Sequence, residues 1–225
     1  MRIVLLPGAG GVATYWSRVV PRLAAAGHEV HAVDLPGDDP AAGLPAYAER
    51  ALAAIGGDPN TVLVAQSMGG FTAAMVAART PLARLIFVNA MIPTPHETPG
   101  DWWGNVDHEA ARVAAARAHG YPSDFDLETY FFHDLPADVL DELRADDRGE
   151  APIAFSSTCT FDAWPAIPIH VIAGADDRFF PLELQRRVAR ARLGIDVEVV
   201  PGGHLAALSR PAELAAAILA ASRGR

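Results

Sequence analysis

Apolar and polar positions follow two different rhythms along the chain. Short apolar runs at residues 3–6, 29–34, 61–65, 84–89, 168–173 and 196–200 predict strands. Between them lie longer stretches in which apolar residues return every three or four positions. In residues 15–26, Trp16, Val19, Val20 and Leu23 share one helical face, and the pattern stops at Gly27. Helical spacing also marks residues 45–55, ending at Gly56-Gly57, residues 69–79, ending before Pro81, and residues 182–192. A last helix is predicted after Ser209-Arg210-Pro211, with Ser209 as its N-cap and Pro211 in its first turn.

Strands that are apolar throughout and alternate with helices predict a parallel sheet covered on both faces. The fold class is therefore α/β, a mostly parallel sheet of about six strands joined by right-handed helical crossovers. One interval breaks the rhythm. Between residues 92 and 159 no strand pattern occurs. A Pro- and Trp-rich stretch that includes Pro93, Pro95, Trp102 and Trp103 leads into helical patterns at 107–119 and 136–146. This predicts a core made of residues 1–92 and 160–225, with residues 93–159 inserted as a helical lid.

Composition narrows the picture. A chain of 225 residues, 51% hydrophobic and 20% charged, can bury a sizeable core without a disulfide or metal staple. Its one cysteine, Cys159, permits no internal disulfide and suits a reducing compartment, so the expected location is the cytoplasm. A net charge of −9 argues against a nucleic-acid or anionic-membrane partner. No apolar run reaches the roughly 20 residues of a spanning helix. The apolar start is too short for a signal peptide, because a Pro7-Gly8 turn follows four apolar residues. There is no lysine, so lysine chemistry is excluded. No H-E-x-x-H motif occurs among the eight histidines, so neither a metal nor an organic cofactor is expected.

The chemistry concentrates where the third strand meets its helix, at Ala65-Gln66-Ser67-Met68-Gly69-Gly70. A serine at the apex of a tight strand-to-helix turn projects its hydroxyl from the carboxyl edge of the sheet. The following helix aims free N–H groups at any oxyanion formed there. The bland alternative is a serine that caps a helix. A nucleophilic serine needs a base and an orienting acid. The fifth strand ends in Gly174-Ala175-Asp176-Asp177-Arg178-Phe179-Phe180-Pro181, and the sixth in Pro201-Gly202-Gly203-His204. Ser67, Asp177 and His204 thus follow the order serine, acid, histidine, each after a strand. Asp177 occupies the motif position of G-x-x-D-x-x-x-P. Asp176 is the alternative acid, with a turn-capping role as its other reading.

The loop Pro7-Gly8-Ala9-Gly10-Gly11 has two readings. A dinucleotide loop would need a third glycine where Ala13 stands, with Asp34 as ribose partner. An oxyanion loop would pair the N–H of Ala9 with that of Met68, and it also accounts for the serine, acid and histidine.

Together these motifs resemble the α/β-hydrolase fold superfamily, in particular its small-esterase branch of plant methyl esterases and hydroxynitrile lyases. The resemblance runs over nearly the whole chain. It rests on the glycine-rich loop with Tyr15-Trp16, on Ala26-Gly27-His28-Glu29-Val30, on the Ser67 elbow and on the two loops carrying Asp177 and His204. The lid stretch Tyr130-Phe131-Phe132-His133-Asp134-Leu135 matches more loosely. The resemblance implies a serine esterase. The lyases of the branch use a loop threonine and a lysine, whereas this chain has Gly8 and no lysine. Its relatives with an aspartate nucleophile are excluded by Ser67.

The expected substrate is a small hydrophobic or aromatic ester, bound by Trp102, Trp103, Phe131, Phe132 and Met91. Asn89 is a further candidate for the wall, and His133 a candidate second acid or base with a surface role as its alternative. The chain is expected as a monomer or homodimer. Two other functions fit the same triad: a C–C lyase or cyclase on a biosynthetic intermediate, and a small-molecule receptor.

Overall fold

A computed structural model of the chain describes residues 1–145 and 148–223. Six strands form one sheet: β1 (Arg2–Leu6), β2 (Glu29–Ala32), β3 (Val62–Gln66), β4 (Arg84–Val88), β5 (Ile169–Gly174) and β6 (Glu198–Val200). Their order is β2-β1-β3-β4-β5-β6, and every neighbouring pair is parallel. The expected α/β sheet of about six strands is thus present. Registers such as Leu6↔Ala65, Gln66↔Val88 and Gly174↔Val200 bring the carboxyl ends to one edge. The chain steps outward from β1 to β2 and then returns past β1 to β3. That reversal opens a crevice beyond the carboxyl ends of β1 and β3, where open parallel sheets bind their ligands.

The two-residue period of the strands builds both cores. Leu6, Leu63, Leu85 and Phe87 face one side, against α2 (Leu44–Ile55), α3 (Gly69–Ala77) and α8 (Leu182–Leu193). Ile3, Leu5, Val64, Ile86 and Ile172 face the other, against α1 (Val20–Ala25), α9 (Ala206–Ser209) and α10 (Pro211–Arg223). Every residue of α3 is buried. This helix is apolar all round because it lies between the sheet and α2, and each large side chain it buries contributes about 1.5–3 kcal/mol.

Between β4 and β5 run α4 (Pro99–Asn105), α5 (His108–His119), a π-helical turn over Glu128–Phe132, α6 (Ala137–Ala145) and α7 (Pro152–Ser156). No strand occurs in this connection among the described residues. The predicted helix at 136–146 corresponds to α6, with Asp146 outside the described residues.

Two expectations need correction. Residues 15–26 do not form one helix. A 3-10 turn at Ala13–Trp16 precedes α1, whose first turn holds Pro21. Proline lacks the N–H that an uninterrupted helix requires, so the helix restarts there. Nor does Ser209 cap the last helix. It ends α9, donating its own N–H to the Leu205 carbonyl, while the Arg210 carbonyl accepts the first bond of α10 from Leu214.

Candidate active site

β3 hands its chain to α3 through a turn so tight that Ser67 takes a φ of +49°. A non-glycine residue in this left-handed region carries about 1–3 kcal/mol of strain and persists only where its surroundings fix it. Here the Ser67 N–H donates to the Val88 carbonyl at 3.3 Å, and the Ser67 carbonyl accepts from Gly70 and Met91 at 3.1 and 3.0 Å. Gly69 and Gly70 lie against the carbonyls of Pro7 and Met91, which leave no room for a Cβ.

Ser67, His204 and Asp177 form one hydrogen-bonded chain. The Ser67 hydroxyl lies 3.1 Å from His204 Nε2, and His204 Nδ1 lies 2.9 Å from Asp177 Oδ2. A carboxylate only accepts, so Nδ1 carries the proton and Nε2 presents its lone pair to the serine. The Asp177 and His204 side chains are 0% and 1% exposed, so water does not compete for their bond. Asp177 is held in turn by the N–H groups of Phe179 and Phe180, at 2.9 and 2.8 Å, and by Gln185 Nε2 at 3.2 Å. Asp176 is exposed and instead accepts from the Gly202 N–H at 3.2 Å. The G-x-x-D-x-x-x-P loop therefore turns its second aspartate inward and its first toward the histidine loop's backbone.

Behind the histidine lies a buried amide network. Asn89 follows β4 with a φ of +44° and donates to the carbonyls of Gly203 and His204 at 3.0 and 3.2 Å. Its oxygen accepts from the Gly174 N–H at 2.7 Å. Asn89 is fully buried and does not line the cavity; it ties the ends of β4 and β5 to the histidine loop. Gln185 has no motif in the sequence to mark it. Only its place on the inner face of α8, eight residues after Asp177, hints at its role.

The hydroxyl of Ser67 opens into a cavity of about 240 Å³. Ala9 and Met68 lie on its wall, and neither backbone N–H has a hydrogen-bond partner among the described residues. Of the aromatic and apolar candidates, Met91, Trp103 and Phe131 line it. Trp102 and Phe132 do not. Trp102 is 1% exposed, donates to the Ile92 carbonyl and packs on Phe180, a layer behind the wall. Phe132, like Phe131, packs against the core on the α1, α9 and α10 side, but of the two only Phe131 reaches the cavity wall, because neighbouring residues of one helical turn point in different directions. Phe131 takes the inward position, with its ring 5.0 Å from the His204 imidazole.

The sequence did not mark Leu143, Arg148, Phe155 or Phe179, which also lie on the wall. Phe179 stood within reach, two residues after Asp177. Arg148 forks onto Asp34 at 2.6 and 3.1 Å, and this contact holds the Asp34 carboxyl below the usual range. Asp34 also accepts from the Ala13 N–H, so it is engaged within the protein rather than presented to a ribose. His133 lies beside Gly203, outside the cavity wall, and burial followed by the nearby Arg178 pushes its pKa down. Among the described residues no group of three or more His, Cys, Asp or Glu is placed to hold a metal. Nor is any helix among them long and apolar enough to cross a membrane.

Residues 3–217 match the sequence profile of the alpha/beta hydrolase family. A pyrethroid hydrolase of Sphingobium wenxiniae is 25% identical over 239 residues, covering 96% of this chain and 85% of that protein. Methylesterase 3 of Arabidopsis thaliana is 31% identical over 142 residues, covering 55% of this chain and 54% of the relative. The crystal structure of a pyrethroid hydrolase from Sphingobium faniae JZ-2 superposes with a TM-score of 0.79 at 22% identity, over 100% of this chain and 98% of the other.

Proposed function

The chain belongs to the alpha/beta hydrolase family, and on that premise we propose that it is a serine hydrolase that cleaves a small, apolar carboxylic ester through an acyl-enzyme. One observation carries the reading: at the cavity floor His204 bridges the Ser67 hydroxyl at 3.1 Å and the buried Asp177 carboxylate at 2.9 Å.

In the proposed reaction Ser67 Oγ attacks the ester carbonyl carbon as its proton passes to His204 Nε2. Asp177 holds the imidazole tautomer and stabilises the imidazolium; it keeps its own charge throughout. The negative charge of the tetrahedral intermediate falls on the former carbonyl oxygen, opposite the N–H groups of Ala9 and Met68. Collapse expels the alcohol, which takes the proton from His204. Water then gives a proton to His204, attacks the acyl carbon and releases the acid, restoring Ser67. Proton transfer of this kind contributes about 10²–10⁴-fold, and each oxyanion donor about 10²–10³-fold. No metal or organic cofactor enters any step.

Substrate size and polarity follow from the wall. Met91, Trp103, Phe131 and Phe155 offer apolar surface around a cavity of about 240 Å³, which suits a short or aromatic ester. Within the proposal residues 93–159 act as a lid, since Trp103, Phe131 and Phe155 come from that stretch. The similarities to a pyrethroid hydrolase and a methylesterase support ester cleavage.

The test is hydrolysis of a p-nitrophenyl ester series of increasing chain length by the wild type and Ser67→Ala. Turnover lost in Ser67→Ala, with a preference for short or aromatic acyl groups, is the expected result. A folded wild type with no turnover across the series contradicts the proposal.

A further inference from the structure

We propose that Asp134 and Glu150 are positioning residues of this reaction, each holding by a backbone amide one of the two loops that carry its chemistry; the inference rests on the serine-hydrolase reading above.

Both carboxylates belong to the connection between β4 and β5. Asp134 follows the π-helical turn, and its Oδ2 accepts from the Gly203 N–H at 2.8 Å. Gly203 immediately precedes His204. Glu150 precedes α7, and its Oε2 accepts from the Gly10 N–H at 2.6 Å. Gly10 immediately follows Ala9. In each loop the amide that is held lies one residue from the functional group, so only a few backbone torsions separate them.

Both loops need such a hold. The first contains Gly8, Gly10 and Gly11, and the second Gly202 and Gly203. Glycine sequences have the largest conformational freedom to lose, so an unheld donor or imidazole samples many unproductive placements. The sheet supplies part of the grip on the histidine loop, through Asn89 and the carbonyls of Gly203 and His204. Asp176 adds a bond from the Gly202 N–H, and Asp134, from the β4–β5 connection, holds the amide next to His204.

The settings of the two carboxylates argue for a specific task. Asp134 Oδ1 is buried and has no partner among the described residues, as is also true of the neighbouring His133 Nε2. Leaving a buried acceptor unsatisfied costs stability, which a carboxylate kept only for folding would not need to incur. Glu150 is itself fixed. The Tyr47 hydroxyl donates to its Oε1, and the Ala151 N–H donates to the Gly37 carbonyl at 2.7 Å. The segment that supplies the cavity's aromatic roof therefore also sets the oxyanion donor and the base.

The experiment uses the full chain with Asp134→Ala and Glu150→Ala, and with Asp134→Asn and Glu150→Gln as conservative partners. Four quantities are read: kcat and KM on the best p-nitrophenyl ester, inhibition by an aryl trifluoromethyl ketone, hydrogen exchange of the backbone at residues 8–11 and 202–205, and Tm. The Ala variants are expected to lose about 10–100-fold in kcat with KM within about threefold. Ketone affinity should fall in proportion to kcat/KM, because the ketone adduct uses the same donors and imidazole. Exchange should quicken at 8–11 in Glu150→Ala alone and at 202–205 in Asp134→Ala alone. Asn and Gln keep an acceptor oxygen and should restore most of the rate.

Folded Ala variants with wild-type exchange and kcat overturn the inference while leaving the hydrolase reading intact. So does a rate loss that tracks Tm while ketone affinity stays at the wild-type level. A wild type that neither turns over esters nor binds the ketone overturns the hydrolase reading, and the positioning roles with it.

Discussion

Gly8 lies so close to Ser67 that a Cβ on it would stand 2.7 Å from the serine Cβ. The same Cβ would be 2.6 Å from Gln66 Oε1. The backbone of Gly8 thus lies directly against the side chains of Gln66 and Ser67, and a side chain at residue 8 has no room. Gly8→Ala must push the loop away from the turn. The expected result is a loss of about 100-fold or more in kcat/KM with a stability cost of about 1–3 kcal/mol, read by ester kinetics and urea unfolding. Wild-type kinetics in this variant would show that the loop's position does not matter to the reaction.

The two aspartates of the Asp177 loop should separate cleanly. Asp177→Asn keeps an oxygen for the N–H groups of Phe179 and Phe180 but turns an amide NH2 toward His204 Nδ1, which favours the wrong imidazole tautomer, and kcat should fall by about 10⁴-fold with the fold retained. Asp176→Asn keeps an oxygen for the Gly202 N–H and should stay within about threefold of the wild type. Steady-state kinetics with circular dichroism on both variants checks the pair. The reverse pattern would move the acid to Asp176.

A stability prediction comes from the far side of the β4–β5 connection. Arg192 donates to Glu97 at 2.9 Å, with side chains only 10% and 2% exposed. Glu97 also accepts from the Thr94 N–H and from Asn105. Removing one member strands a buried charge, so Glu97→Ala should lose about 3–5 kcal/mol in denaturant unfolding. A loss near zero would mean that the segment relaxes and hydrates Arg192.

Acid should destabilise the protein partly through His108. Burial among Trp102, Trp103 and Phe180 pushes its pKa below the ordinary 6.5, while its Nε2–H donates to the Phe179 carbonyl. Below pH 6.5 the unfolded chain takes up a proton that folded His108 resists. The unfolded state then binds more protons, so stability is complete above that pH and declines as pH falls toward the folded pKa. His108→Gln keeps an N–H for Phe179 and should lose less stability than the wild type between about pH 7 and 5. Equal losses in both proteins would remove His108 from the acid response.

Much of the fold and the centre of the candidate site were legible because their signals are local. The inner strands β1, β3, β4 and β5 are compact, mostly apolar runs, and Ser67, Asp177 and His204 each sit in a short loop motif after a strand. The rest depends on contacts between distant residues. Glu150 reaches Gly10 across 140 positions and Asp134 reaches Gly203 across 69, and no pattern in either segment announces its partner. The choice of Phe131 over Phe132, or of Trp103 over Trp102, turns on where one helical turn faces after packing. Composition does not contain that information. The helix break before α1 was legible in Pro21, but the strong apolar spacing on either side of it masked the signal.

The central claim is that Ser67 is the nucleophile, and the most direct test is covalent capture. The protein is mixed with one equivalent of diethyl p-nitrophenyl phosphate, p-nitrophenolate release is followed, and the labelled peptide is mapped by mass spectrometry. The account predicts stoichiometric release, a diethylphosphoryl group on Ser67 Oγ, and slow labelling in His204→Ala. No adduct on a folded protein, or an adduct on any residue other than Ser67, would contradict it.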